Sequence, residues 1–234
     1  MGRIAAKKKA LALLSHDLEQ ARSFLLELDF GLAVHILFSG IIRSDRPLRW
    51  HAIEVMGEVV ARHAEREMEA ARVVMRRLLW NLNDESGGIG WGSPETMAEV
   101  MARHGALTRE YLPIYVSYLS DHKGAYRRQG NSFIEHTGLQ QGLLWGIGRL
   151  AGPRSKELAA TPVCRLLPSY LQSDSHQVRA LAARALGLLQ VREAAAAVGA
   201  LVGDDSPVEL FEDHRITIAI AGQLAAAALQ QLQK

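Results

Sequence analysis

The sequence predicts an all-α fold, an α-α superhelix of about five or six antiparallel helix pairs, on three observations. The first is a repeated frame. "DRPLRWHAIEVMG" (45–57) and "SHQVRALAARALG" (175–187) align on Arg49 and Arg179, matching Leu48 with Val178, Ala52-Ile53 with Ala182-Ala183, and Met56-Gly57 with Leu186-Gly187. Apolar and small residues thus recur at i, i+4 and i+8, one face of an α-helix. The second is composition: helix formers dominate, aromatics make up 6% of 234 residues, and no long β-branched alternation stands out, so strands should be few or absent. The third is the recurrence of small residues, Ala52, Ala183, Ala219 and the glycines at 57, 148 and 187, which let neighbouring helices approach as a stack requires.

Taken in order, this pattern places helices near 4–14, 17–28 and 30–42, then one over 47–62 that opens on the first copy of the frame. Helices near 65–82, 94–104 and 107–120 follow, the second of them capped by Ser93 with Pro94 at its first position. A third copy, "LQQGLLWGIG", sits in a helix over 135–151, with Gln140 where the other copies carry arginine. Beyond a helix near 156–172, the second quoted copy occupies 177–189 and its partner 192–202, closed by "GDDSP". A weaker fourth copy, "HRITIAIAG", with Arg215, Ile218-Ala219 and Gly222, is read as part of a terminal helix over 212–232. The whole chain, 1–234, reads as one domain.

These copies resemble HEAT-like repeats of the phycobilisome-lyase type, whose signature is an acidic residue, then Val-Arg, Ala-Ala and Leu-Gly. "DSHQVRALAARALG" is the better match and "DRPLRWHAIEVMG" the second. Covering about 40–225, the pattern is similar to that of uncharacterised bacterial HEAT-repeat proteins. The resemblance implies a structural role for Asp45, Arg49, Arg179 and Arg215, linking neighbouring repeats by hydrogen bonds, and Gln140 interrupts that arginine series.

The spacing fails between Trp80 and Ser132, where two insertions, near 83–93 and 121–132, interrupt the stack. Insertions of this kind project from one face of a repeat array and often carry its binding function. The first, glycine-rich, offers Trp80, Asn83, Asp84, Glu85 and Trp91 as a polar site, or forms a tight turn packed by its tryptophans. Free N–H groups at the helix start after it are an anion-binding possibility, but no strand precedes it and no Walker lysine follows, which argues against a nucleotide fingerprint. The second, more basic, offers Tyr126, Arg127 and Arg128.

Nothing in the sequence supplies catalytic chemistry. The nine histidines form no HExxH, no HxxxH and no His-Glu dipeptide, so no metal or cofactor is expected, and His35 and His51 read as ordinary packed or half-exposed residues. Cys164 is the single cysteine and no serine lies in a GxSxG elbow. The N-terminal apolar run is too short for a secretory segment and glutamines interrupt the uncharged stretch 216–233, so the protein is expected to be cytoplasmic and not membrane-bound. Function is read as a non-catalytic scaffold presenting a concave repeat surface to a protein or peptide. Nucleic-acid binding is the alternative: Arg43, Arg46, Arg49, Arg72, Arg76 and Arg77 accompany four tryptophans, although the net charge is only +2. A small-ligand or enzyme site around Trp80 to Trp91 is a third reading.

Overall fold

The computed structural model describes residues 2–83, 90–120 and 133–233. Helices dominate: α1 (Arg3–His16), α2 (Leu18–Leu26), α3 (Phe30–Ile41), α4 (Arg46–Ala64), α5 (Met68–Asn83), α6 (Ser93–Arg103), α7 (Gly105–Ser117) and α8 (Thr137–Ala151). The helix expected over 156–172 is broken into α9 (Ser155–Ala159), α10 (Val163–Leu166) and a 3-10 segment, Leu167–Gln172. Pro162 and Pro168 interrupt it, since proline has no N–H for a helix interior. α11 (His176–Leu188) follows, then a short 3-10 turn (Arg192–Ala194), α12 (Ala195–Gly199), and a terminal α13 (Ala221–Leu232).

The chain gathers into two compact units, Met1–Leu107 and Thr108–Lys234. In the first, α4 is the hub, packing on α1, α2, α3, α5 and α6. It is covered on most sides, burying Leu48, Trp50, Ile53, Val55, Met56, Val59 and Val60 together with the charged Glu54. In the second, α11 holds that place, lying between α8 and α13.

Caps and glycines set the frame of the repeat. Four residues before the arginine position stand Asp45, His136 and Ser175, and each is the N-cap of its helix, accepting from Leu48 N at 3.0 Å, Gly138 N at 3.1 Å and Val178 N at 3.4 Å. Eight residues after it stand Gly57, Gly148 and Gly187. A Cβ on Gly57 would lie 2.6 Å from Glu99 Cβ and 3.0 Å from its carbonyl carbon on α6. A Cβ on Gly187 would meet the α-carbon of Ala228 on α13 at 2.6 Å. Both positions need glycine because the obstacle is main chain or the root of a side chain. On Gly148 the obstacle is only the far end of Arg184, at 2.5 Å.

The terminal segment departs from expectation. Residues 207–220 are a β-hairpin, β1 (Pro207–Glu212) paired antiparallel with β2 (Arg215–Ile220), so α13 starts at Ala221 and Arg215 lies on a strand. "HRITIAIAG" therefore belongs to no helix before Ala221. Ile216, Ile218 and Ile220 alternate with Thr217 and Ala219, a period of two that also satisfies helical spacing over so short a stretch. Asp213 and His214 settle it, adopting φ of 47° and 64° as the two-residue turn of a hairpin needs. The hairpin seats on α11 and α13 through Val208, Ala180, Ala221 and Leu224.

The close approaches at glycine yield a graded expectation. Gly187→Ala should lower stability by ~1–3 kcal/mol through overpacking, despite alanine's intrinsic helix advantage. Gly148→Ala should be close to neutral because Arg184 can swing away. Urea unfolding of the two variants beside wild type checks this, and equal costs would refute the assignment of Gly187 to a main-chain contact.

Candidate protein-interaction surface

The two tryptophans flanking the first insertion are exposed rather than packed. Trp80, in the last turn of α5, is 71% exposed, and Val73, seven residues earlier on the same side of the helix, is 54% exposed. Trp91 is 42% exposed. The expectation that both rings pin the loop onto the stack fails for Trp80. Asn83 is exposed and its side chain donates to Leu79 O at 2.9 Å. Asp84, Glu85, Tyr126, Arg127 and Arg128 lie outside the described residues.

Cations on this part of the chain are held by neighbours. Arg76 and Arg72 both reach Glu69, at 2.6 and 3.5 Å, and the Arg76 hydrogen bond is the main cause of a Glu69 carboxyl held below its ordinary value. The Arg77 guanidinium lies 3.9 Å from the centre of the Phe38 ring, and that of Arg49 lies 5.9 Å from the centre of Trp91.

The start of α6 is closed to an anion. Gly92, not Ser93, is the N-cap, with φ of 74°, and a Cβ there would lie 2.6 Å from Ile41 O. Ser93 N donates to Gly90 O, Thr96 N donates to Gly92 O, Pro94 has no N–H, and the Glu95 N–H bonds its own carboxyl. Burial raises the Glu95 carboxyl above its ordinary range, partly offset by its own N–H and by the Arg49 charge. Its Oε2, like Ser93 Oγ and Arg49 Nε, is buried without a hydrogen-bond partner, so this corner is desolvated, not open to a ligand.

The other signature residues divide. Arg179 donates to Ser173 O at 2.8 Å and to Asp174 O at 3.1 Å, and pairs with Asp204 Oδ2 at 2.7 Å. Ser206 and then Arg179 hold the Asp204 carboxyl down at about 2. Gln140 keeps part of this pattern: its Nε2 donates at 2.9 Å to Ile134 O, six residues back, as Arg179 does to Ser173 O. Arg215, exposed on β2, holds no inter-helix position.

A column missed in the sequence lies five residues past the arginine position: Glu54, Trp145 and Arg184. Glu54, 3% exposed, accepts from Arg22 of α2 at 2.8 Å and lies 3.8 Å from Arg103 of α6. Arg22 also reaches Glu58 at 3.0 Å, and Arg103 pairs with Glu99. Trp145 Nε1 donates to Phe211 O at 3.0 Å, and Arg184 pairs with Glu212. A polar or bulky residue inside a run of apolar and small residues, as over 52–57, 142–148 and 180–187, is the available signal.

Among the described residues no group of three or more His, Cys, Asp or Glu comes together as a metal site, and no helix is long and apolar enough to cross a membrane. His35 is exposed, and His51 Nδ1 donates to Leu14 O at 2.7 Å. Burial pushes the Cys164 thiol up, the reverse of an activated thiolate.

Helical hairpins in series with close glycine crossings define the class: an all-α helical-repeat fold. Known structures agree. An engineered protein from a structural genomics programme, target OR329, is similar over 100% of this chain and 97% of its own, with a TM-score of 0.53 at 13% identity. A designed armadillo repeat protein is similar over 98% of this chain and 92% of its own, with a TM-score of 0.56 at 15% identity. Uso1-2 is similar over 98% of this chain, which spans only 40% of that protein, with a TM-score of 0.52 at 14% identity. No family model and no curated protein sequence matches the chain.

Two substitutions test the polar contacts. Arg22→Met should cost roughly 1–3 kcal/mol, less than a fully buried pair because Arg103 still faces Glu54 and Arg22 is partly solvated; thermal unfolding measures it. Asp204 is a depressed carboxyl, so the stability it contributes is complete above its unfolded value of 3.8 and disappears as pH falls towards about 2. Asp204→Asn should therefore remove stability at neutral pH and flatten the acid limb between those two values, read from denaturant midpoints across a pH series.

Proposed function

We propose that the chain is a non-catalytic protein-interaction scaffold of the HEAT-like, phycobilisome-lyase-type kind, a single solenoid domain over residues 1–234 of a bacterial cytoplasmic protein. Its partner in this reading is a protein or peptide, and no cofactor takes part. The observation that carries the proposal is the α5 face, where Trp80 and Val73 stand 71% and 54% exposed one heptad apart. Water-exposed tryptophan beside a second apolar side chain is a typical anchor of a protein interface. A surface already ordered before binding keeps the entropy cost of association low. The insertion residues Asp84, Glu85, Tyr126, Arg127 and Arg128 add selectivity in this reading.

Protein is favoured over nucleic acid because Arg72 and Arg76 are turned to the Glu69 carboxylate they share and Arg77 lies on Phe38. A duplex-binding trough needs its cations turned towards phosphate.

Affinity capture from the native cytoplasm at low and high salt, with wild type and a Val73→Glu/Trp80→Glu variant as baits, tests the reading. A protein retained by wild type through high salt and weakened by roughly thirtyfold or more in the variant is the expected result. Recovery of nucleic acid that salt removes would transfer the function to the alternative, and a partner bound equally by both baits would move the interface off α5. A small molecule bound by wild type near Trp80 and Trp91 would favour a ligand site.

A further inference from the structure

The β-hairpin of the second unit has one closed edge and one open edge. On β1, the Glu209 N–H turns away from β2 and donates to Gln177 Oε1 at 2.9 Å, and Glu209 O accepts from Gln177 Nε2 at 2.6 Å. Two residues on, Phe211 O accepts from Trp145 Nε1, and Pro207 at the strand's start has no N–H to offer. One side-chain amide, one indole and one proline thus seal this edge, the devices by which sheets avoid unwanted pairing.

That sealing fixes the geometry of β2. Because Glu209 and Phe211 turn their main-chain groups away from β2, their cross-strand partners Ile218 and Ile216 turn theirs away from β1. Those groups lie on the outer edge of β2. Among the described residues no hydrogen bond from another element reaches them. Ile218 is 66% exposed, Thr217 and Arg215 are exposed, and Ile216 and Ile220 are half-buried. The strand is β-branched at four of six positions, carries only Arg215 as a charge, and has no bulge, lysine or proline of its own.

We infer that β2 is a self-association edge, pairing antiparallel with β2 of a second copy of this chain about a twofold axis at Thr217. In that register Ile216 of one copy faces Ile218 of the other, so the outward N–H and C=O groups of both residues are exchanged. A C2 axis requires such a self-complementary patch. The alternation of side chains puts Ile216 and Ile218 of both copies on one face, a four-isoleucine cluster that removes their exposed surface from water. Arg215 falls opposite Ala219, leaving the two arginines about 13 Å apart along the strands, so no like charges oppose one another. The single charge, set at the strand's end clear of its symmetry mate, and the match between outward groups favour a copy of β2 over a charged foreign segment.

Sedimentation velocity over a concentration series reaching the hundred-micromolar range tests this, with far-UV circular dichroism as the folding control. Wild type should show reversible doubling of mass. Ile218→Lys adds charge at an exposed position, and Ile218→Pro removes only an outward N–H, since that group makes no bond to β1. Both should weaken association at least about tenfold with unchanged spectra, whereas Ile4→Lys, at a position 88% exposed elsewhere, should leave the dimer intact. Wild type monomeric throughout the series, or a dimer unaffected by both Ile218 variants, would overturn the inference. The proposed α5 interface is untouched by any of these outcomes.

Discussion

Close contact at Gly57 and Gly187 is the constraint on which the rest of the packing depends. In each case a helix main chain rests against the next helix where any side chain would intrude, Glu99 in one unit and Ala228 in the other. Two helices brought this near must interdigitate where they cross, which explains why α4 and α11 bury Ala52, Ile53 and Met56 in one and Ala182, Ala183 and Leu186 in the other. The contact also fixes helix rotation. Once the glycine faces its neighbour, the residue three earlier in the sequence is turned roughly sixty degrees from it, and that position is Glu54, Trp145 or Arg184, where links to further elements are made.

Those links show one position solved three ways. Glu54 is almost excluded from water and survives there because Arg22 arrives from one side and Arg103 from the other. Trp145 offers a neutral donor to a strand carbonyl, and Arg184, nearer the surface, pairs with the hairpin's Glu212. In the second unit the column has become the anchor for β1, since Trp145 and Arg184 both hold that strand. A helical repeat thereby accommodates a β-hairpin without exchanging its helix-to-helix crossings.

How much was legible in the sequence follows from which forces are local. The cap at Asp45 or Ser175 is a short-range hydrogen bond and the glycine eight residues past the arginine is a steric requirement, so both recur as fixed characters and place the helices. Arg179 kept its local partners at Ser173 and Asp174, but its pairing with Asp204 depends on where another hairpin ends, which no spacing encodes. Glu54 carries no local signal because the arginines that neutralise it, Arg22 and Arg103, lie far off in the sequence, whereas Glu99 and Arg103 stand four residues apart on one helix face, a spacing the sequence does show. The hairpin was misread because "RITIAI" fits two periods at once. A φ above zero at Asp213 and His214 decides between them, a backbone state for which Asp and His are enriched but which neither marks as plainly as glycine does. For the candidate surface, the sequence points to Trp80 and Trp91 by residue type and place, but their exposure depends on what α5 and the α6 turn leave uncovered.

The arginine content shows the same dependence on context. Counted along the chain, six arginines near four tryptophans suggest a surface for phosphate. In the fold Arg72 and Arg76 share Glu69, Arg77 lies on the Phe38 ring and Arg49 stands between Trp91 and the desolvated Glu95. Each of these arginines has a neighbour within its own unit, although Arg72 and Arg76 share one carboxylate and the Phe38 ring leaves the Arg77 charge in place, so α5 keeps a local excess of positive charge. Exposed on the same helix are Trp80 and Val73, and apolar side chains held on a rigid helix are matched by another protein's side chains rather than by a polyanion.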